Sequence, residues 1–124
     1  MTTGIVVFAH GSRIESANEA VREVARQFAA TGPFPDVRPA FLELGRPDLA
    51  GAVADLAGKG LQRIVVIPYF LTPGLHLDRD LPRLLSDILP DYKDLEIVAT
   101  QPLDGHPALL EILRDRALAG AKQA

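Results

Sequence analysis

The chain alternates four times between a short apolar run and a longer amphipathic segment, and this alternation constrains its fold more than any other feature. The apolar runs are rich in β-branched residues and have the lengths of strands. They occupy residues 4–9, 37–44, 61–68 and 95–100. Because a helix-like segment follows each run, the pattern predicts a four-stranded parallel sheet flanked by helices on both faces. We therefore expect a three-layer α/β fold in one domain that spans residues 1–124.

Two features predict where individual strands lie in the sheet. The third run contains Ile64-Val65-Val66-Ile67, which is typical of a central strand that is buried on both faces. Pro39 interrupts the second run. Because proline cannot donate a hydrogen bond to a neighbouring strand, we expect the second strand at an edge.

Each helix has a predicted start and a predicted inward face. Ser16 and Glu19 form a capping-box pattern for the first helix, which Gly32-Pro33 ends. Pro47 suits the first turn of the second helix, and Gly58 and Gly60 close it. Asp80 suits the N-cap of a third helix over about residues 80–89, with Pro82 in its first turn, and Pro107 opens the fourth. The residues predicted to face the core are Ala20, Val21, Val24, Ala25, Phe28, Leu49, Ala52, Val53, Leu56, Leu81, Leu84, Leu85, Ile88, Leu109, Leu110, Leu113 and Ala117.

The composition excludes several kinds of site. The chain has no cysteine, so disulfides, iron–sulfur clusters and cysteine-bound zinc are excluded, and nitrogen and oxygen atoms must hold any metal. The net charge is −3, without a basic stripe, so we expect no nucleic-acid partner. The apolar run near the N-terminus is far shorter than the ~20 residues that span a bilayer. We therefore expect a cytoplasmic protein without a membrane partner. The motifs GxxxxGK[ST], GxGxxG and GxSxG are missing, which disfavours ATP use, dinucleotide binding and α/β-hydrolase chemistry.

All three histidines follow predicted strands at the same edge of the sheet. His10 follows the first strand, His76 the third and His106 the fourth, and Glu43 ends the second. Ligands bind at this edge in open α/β sheets. Imidazole binds Co²⁺, Ni²⁺, Fe²⁺ and Zn²⁺, and it accepts protons near neutral pH. The pattern predicts a metal or acid–base site at His10, His76 and Glu43. Glu43 is equally compatible with a solvated carboxylate, and His106, which precedes Pro107, with a helix cap.

Three arginines are predicted at the same edge, namely Arg13, with Ser12 beside it, Arg46 and Arg79. Guanidinium groups bind carboxylates through paired hydrogen bonds. We therefore predict that this set binds a substrate with several carboxylates, although surface arginines are common and need no ligand. The apolar stretch around Phe70 is compatible with a wall for a flat macrocycle and equally with a loop that faces the core.

Four segments of the chain resemble the class II chelatases of sirohydrochlorin. The stretch FAHGSR-(x)₄-N at residues 8–18 resembles the opening of that family, and PYFLTPGLHLDRDLP at residues 68–82 resembles its second histidine loop. Residues 41–49 and 102–113 are similar to two further segments of the family. These segments cover most of the chain in the expected order, and they match the short, single-domain form.

The resemblance implies ATP-independent insertion of a divalent metal into sirohydrochlorin for cobalamin-type or sirohaem-type cofactors, with Co²⁺ expected first and Fe²⁺ or Ni²⁺ as alternatives. It implies that His10 and His76 bind the metal and act as bases, with Glu43 assisting. No cofactor is expected beyond the divalent metal substrate. The resemblance also implies a homodimer, because the short forms pair two half-sized units.

Three other interpretations remain open at this point. A His-Gly pair after the first strand also occurs in phosphohistidine phosphatases and mutases, but those need an arginine before the histidine, and here Ala9 precedes it. The same ligands would serve a carrier that binds a metal or tetrapyrrole without turnover. A half-domain that works only with a partner chain is the third interpretation.

Overall fold

The fold was obtained as a computed structural model, which describes residues 2–71 and 75–123, with the backbone alone at 75–77. In this part of the chain four strands and four α-helices alternate as predicted, and a 3₁₀ turn, Leu89–Asp91, follows the third helix. The elements are β1 Thr3–Ala9, α1 Glu15–Thr31, β2 Val37–Phe41, α2 Leu49–Gly58, β3 Arg63–Pro68, α3 Leu75–Ile88, β4 Glu96–Ala99 and α4 Ala108–Ala121. The strands form one parallel sheet in the order β2-β1-β3-β4. The predicted α/β fold is therefore confirmed.

The direction in which the chain crosses the sheet explains where the helices lie. From β1 the chain moves to one edge, whereas from β2 and from β3 it moves the other way. Because such crossovers are right-handed, α1 lies on one face and α2 and α3 on the other. The two clusters of buried side chains agree with this arrangement. Ile5 packs with Ala25 of α1, whereas Phe8 packs with Val53 of α2 and Leu81 of α3.

The predicted strand positions are confirmed. The second strand lies at an edge, where Pro39 is paired with Val7 of β1, and the third strand is interior. The second strand is shorter than predicted. Beyond Phe41 the pairing is irregular, because the backbone N–H groups of Leu42 and Glu43 donate to the carbonyls of Ala9 and His10. Leu44, whose φ is 60°, then turns the chain away from the sheet.

The predicted capping box of α1 is wrong. The helix begins at Glu15, so Ser16 lies inside its first turn and caps nothing. The carboxylate of Glu19 accepts hydrogen bonds from Arg22 and Arg26 instead of reaching back to the backbone. These local ion pairs compete for the side chain that a capping box requires. The predicted end of the helix at Gly32 is confirmed.

The predicted starts of the second and third helices are also wrong. Pro47 precedes α2, whose N-cap is Asp48, with a carboxylate that accepts a hydrogen bond from a backbone N–H three residues later. The third helix begins at Leu75, five residues before the predicted cap Asp80, so Pro82 lies inside it. Proline favours the first turn of a helix, but the interior of a longer helix accommodates it at the loss of one backbone hydrogen bond.

The predicted inward faces of the first three helices are largely confirmed. All four predicted residues of α2 are buried, and in α3 Leu81 and Ile88 are buried while the two leucines between them are half-buried. In α1 the buried positions are Ala25 and Asn18, whereas Ala20, predicted inward, is exposed. A polar side chain therefore occupies one core position of α1.

The predicted inward face of α4 is wrong. No residue of this helix is buried, and only Leu109 is half-buried. Leu110 and Leu113 are 65% and 64% exposed, and Ala117 is exposed as well. Among the residues that the structure describes, no helix is long and apolar enough to cross a membrane.

Candidate active site

The carboxyl ends of β1 and β3 form the natural binding crevice of this sheet. The two strands are neighbours, and the chain leaves them toward opposite edges. Their loops therefore diverge and leave an opening, which is where ligands bind in open α/β sheets. His10 is the first residue after β1, and its side chain is exposed at this opening.

The ring of His10 packs against the loop that follows β3. Its centroid lies 5.3 Å from that of Phe70, with the two ring planes tilted by 50°. The backbone N–H of Tyr69 donates to the carbonyl of Phe8 at 2.7 Å, so the two loops leave the sheet in register. Phe70 also packs against the larger core cluster. The imidazole is therefore supported on one side by an anchored aromatic ring.

On its other side, the His10 loop contacts the loop that carries Glu43. The backbone N–H of Glu43 donates to the carbonyl of His10 at 3.1 Å. Gly11 has a φ of 91°, and a Cβ at this position would lie 1.6 Å from the carbonyl oxygen of Glu43. Only glycine fits such an approach. The structure thus brings His10 and the exposed Glu43 onto adjoining loops, as the sequence predicts.

The predicted pairing of His10 with His76 lies outside the described residues. The backbone of His76 lies in the first turn of α3, and its side chain is not among those that the structure describes. Within residues 2–71 and 78–123, no three histidine, aspartate or glutamate side chains come together as a metal site would require. The two-histidine metal site therefore stays a prediction.

His106 caps the last helix. Its Nδ1 accepts a hydrogen bond of 3.0 Å from the backbone N–H of Ala108, in the first turn of α4. Of the two roles that the sequence left open, the structure therefore shows the capping role. The loop that carries His106 follows the β3 loop closely, because the N–H groups of Leu103 and Asp104 donate to the carbonyls of residues 70 and 71.

The four predicted substrate-binding residues lie on three elements. Ser12 and Arg13 lie on the β1–α1 loop, Arg46 on the β2–α2 loop, and Arg79 in α3 rather than in a loop. The three arginines are exposed, and in the described part of the chain none of their guanidinium groups donates to another residue. The hydroxyl of Ser12 accepts from the N–H of Ile14 at 3.0 Å, so it also shapes its own loop.

Two cavities open at this edge of the sheet. The first, of about 580 Å³, lies between α3 and the β4–α4 loop, with Phe70, Asp78 and Asp104 in its wall. The second, of about 610 Å³, is lined by Glu43 and Arg46 among others. His10 lines neither cavity, but its ring touches Phe70 of the first and its carbonyl bonds to Glu43 of the second. His10 therefore contacts wall residues of both spaces, through its ring on one side and its backbone on the other, and both spaces are of ligand-binding size.

Sequence reasoning assigned no role to Asn18, which it met only as the last residue of the motif at residues 8–18, and it missed Arg22. The amide of Asn18 bonds to Ser12 and to the carbonyl of Leu44, and Arg22 donates to the carbonyl of Arg46. A signal for Asn18 exists, because positions 18, 21, 25 and 28 lie on one face of the helix and only the first is polar.

Ion pairs at the start of α1 lower the pKa values of two carboxyl groups. Arg22 donates to Glu15 at 2.5 Å and to Glu19 at 3.2 Å. The hydrogen bonds from Arg22 and then Asn18 lower the pKa of Glu15, and those from Arg26 and then Arg22 lower the pKa of Glu19. Because the folded state lowers these pKa values, the pairs stabilise the fold at neutral pH, and this contribution is lost as the pH falls through the lowered values.

Comparisons with known proteins agree with the fold and the motifs. The sequence model of the CbiX family matches residues 4–119. The chloroplastic sirohydrochlorin ferrochelatase of Arabidopsis thaliana is 34% identical over 113 residues, which cover 91% of this chain and 50% of that protein. The sirohydrochlorin cobaltochelatase of Methanopyrus kandleri is 33% identical over 132 residues, which cover 90% of this chain and 92% of that protein. The chain thus spans half the length of the Arabidopsis relative.

A solved structure shows the same fold. The cobalamin (vitamin B12) biosynthesis CbiX protein of Marinobacter aquaeolei VT8 superposes with a TM-score of 0.86 at 24% sequence identity. The similarity covers 98% of this chain and 99% of that one. The four-stranded architecture is therefore shared over the whole length of both chains.

Proposed function

The chain belongs to the CbiX family, and on this premise we propose that it inserts a divalent metal ion into sirohydrochlorin without ATP. The observation that carries the proposal is the position of His10. Its exposed imidazole stands at the crevice between β1 and β3, with Phe70 on one side and the Glu43 loop on the other. An imidazole so placed is able both to bind a metal ion and to accept a proton.

Metal insertion requires two tasks of the protein. The ion must be held at the face of the macrocycle, and two pyrrole N–H protons must leave as the ion enters. We assign the first task to His10 and His76. The second falls to one of these rings or to Glu43, whose loop is hydrogen-bonded to that of His10. One M²⁺ then replaces two H⁺, so the charge balances and no redox step or cofactor other than the metal substrate is needed.

The surroundings of His10 support a large anionic substrate. Arg13 and Arg46 extend from the two loops beside the crevice, Arg79 from α3, and Ser12 lies next to Arg13. Their exposed guanidinium groups are suited to the carboxylates of sirohydrochlorin. A site that favours a puckered macrocycle exposes the nitrogen lone pairs to the ion, and such binding lowers the barrier because it is strongest in the transition state.

Catalytic turnover distinguishes this function from metal or tetrapyrrole carriage. We expect the purified protein, mixed with Co²⁺ and excess sirohydrochlorin and no ATP, to form many equivalents of cobalt–sirohydrochlorin per chain. Absorption spectra measure the product, and the rate without protein is subtracted. Product that stops at one equivalent per chain would contradict the enzyme and favour the carrier. Parallel assays with Fe²⁺ and Ni²⁺ rank the metals, because ligand type alone allows all three.

We also propose that two copies of the chain form a homodimer through α4. Leu110 and Leu113 are 65% and 64% exposed on one side of this helix. Adjacent exposed leucines on one side of a helix are typical of a surface that packs against a partner. The sheet of the same chain offers a surface that would cover α4. Val65 of β3 and its register partner Val98 of β4 are only half-buried, since α1 packs on β1 and β2 instead. In a dimer with twofold symmetry, α4 of each protomer would cover this surface of its partner.

Charged substitutions on α4 test this dimer. We expect wild-type protein to sediment with twice the mass of the chain, and the variant with Leu110→Glu and Leu113→Glu to sediment as a monomer. Leu118→Glu, on the same helix but about 120° away from the centre of the Leu110–Leu113 face, is the matched control and is expected to remain dimeric. Wild-type protein that is monomeric at micromolar concentration, or a double variant that stays dimeric, would contradict the interface.

A further inference from the structure

We propose that Asn18 and Arg22 are positioning residues that hold the loop of Glu43 and Arg46 against the loop of His10. The inference rests on the proposed function, because it names the residues that set the geometry of that site. Both residues lie on α1, Asn18 in its first turn and Arg22 one turn later. They act through the backbone of these loops, by the contacts described below.

Asn18 joins the two loops through a single buried amide. Its side chain is 1% exposed, and it is the only buried polar side chain among residues 2–71 and 78–123. Its Oδ1 accepts from the N–H of Ser12 at 2.8 Å, and its Nδ2 donates to the carbonyl of Ser12 at 2.8 Å and to that of Leu44 at 2.9 Å. Buried amides are costly to leave unpaired, so these bonds fix the two loops relative to each other.

The loop after β2 adopts an unusual backbone where Asn18 holds it. Leu44 has a φ of 60°, a left-handed conformation that is uncommon for leucine, and its side chain is 52% exposed. Gly45 follows, and a Cβ there would lie 3.2 Å from the Nδ2 of Asn18 and 2.8 Å from the ring of Phe41. The backbone of the loop thus packs directly against the side-chain amide of Asn18. This contact accounts for the turn immediately after Glu43.

Arg22, one helical turn after Asn18, makes a second contact with the loop that follows β2. Its Nη2 and Nε lie 3.1 and 3.4 Å from the carbonyl oxygen of Arg46, and its guanidinium lies 5.3 Å from the centre of the Phe41 ring. Residues four apart share a helix face. Asn18 and Arg22 therefore bind two carbonyls, at positions 44 and 46, of the same loop. Among the described residues, Arg26, a turn further on, bonds only to carboxylates of α1 itself.

Arg26 provides the matched control for this proposal. Arg22→Gln and Arg26→Gln each remove an arginine that pairs with Glu19, but only the first removes a bond to the loop. The test compares kcat for Co²⁺ insertion at saturating substrates and the rate of hydrogen exchange at the Glu43 backbone amide, whose N–H donates to the carbonyl of His10. Because small displacements of catalytic groups cost up to ~100-fold, we expect kcat to fall ~100-fold in Asn18→Ala and ~10-fold in Arg22→Gln. Arg26→Gln is expected to keep the wild-type kcat, and only the first two variants to show faster exchange.

Two results would overturn the positioning role. One is a folded Asn18→Ala variant with wild-type kcat, and the other is an Arg26→Gln variant that loses as much activity as Arg22→Gln. If Asn18→Ala does not fold, the comparison of Arg22→Gln with Arg26→Gln tests the positioning role. Wild-type protein without turnover would contradict the proposed function instead, and amide exchange would then still show whether α1 holds the two loops together.

Discussion

Replacing His10 with alanine is expected to lower the rate of metal insertion by about 10²- to 10⁴-fold, the range that a positioned general base contributes. The fold is expected to remain, because the ring is exposed and the backbone carbonyl that bonds to Glu43 is kept. The rate of cobalt–sirohydrochlorin formation measures the first effect, and the midpoint of thermal unfolding measures the second.

His106→Ala is the matched control for this substitution. His106 lies at the same edge of the sheet, but its Nδ1 is engaged in capping α4. Losing a cap costs roughly 1 kcal/mol of stability, so we expect a small drop in the unfolding midpoint and an unchanged insertion rate. A folded His10→Ala variant with the wild-type rate would exclude His10 from the chemistry, and a variant that failed to fold would show that the residue has a structural role.

The layers and strand positions were predictable because they follow from local patterns. An apolar run rich in β-branched residues indicates a buried strand, and Pro39 excluded the second strand from the interior. Helix starts were less predictable, because several residues compete for the role of cap. Asp80 and Pro82 suit the start of a helix, yet α3 already begins at Leu75.

The face of α4 shows another limit of sequence patterns. The spacing of Leu109, Leu110, Leu113 and Ala117 predicted a stripe that faces the core, but such a spacing does not say what covers the stripe. In the described chain the stripe is exposed. Periodicity reports which side of a helix avoids water, whereas the partner that buries it depends on the tertiary and quaternary structure.

Part of the candidate site was predictable from topology alone. His10 and Glu43 each follow a strand of a parallel sheet, and such strand ends meet at one edge. The role of Asn18 was not predictable, because its partners lie 6 and 26 residues away along the chain. Its polarity at a core position was visible, but the carbonyl that it binds depends on the left-handed turn at Leu44.

The second large effect concerns His76, which the resemblance pairs with His10 as a metal ligand. We expect His76→Ala to weaken Co²⁺ binding by more than the 10- to 100-fold that even an outer-shell partner contributes. The physical reason is that one ion held by two rings loses the advantage of joint binding when either ring is removed. His106→Ala is again the control and is expected to leave Co²⁺ affinity unchanged.

Calorimetric titration of Co²⁺ into wild-type protein, His10→Ala, His76→Ala and the double variant tests the shared metal site most directly. If both rings hold one ion, wild-type protein binds one Co²⁺ at this site, and the two single losses of binding free energy sum to more than the loss in the double variant. Single losses that add up to the double loss, or two independent Co²⁺ sites that each disappear with one histidine, would contradict the account.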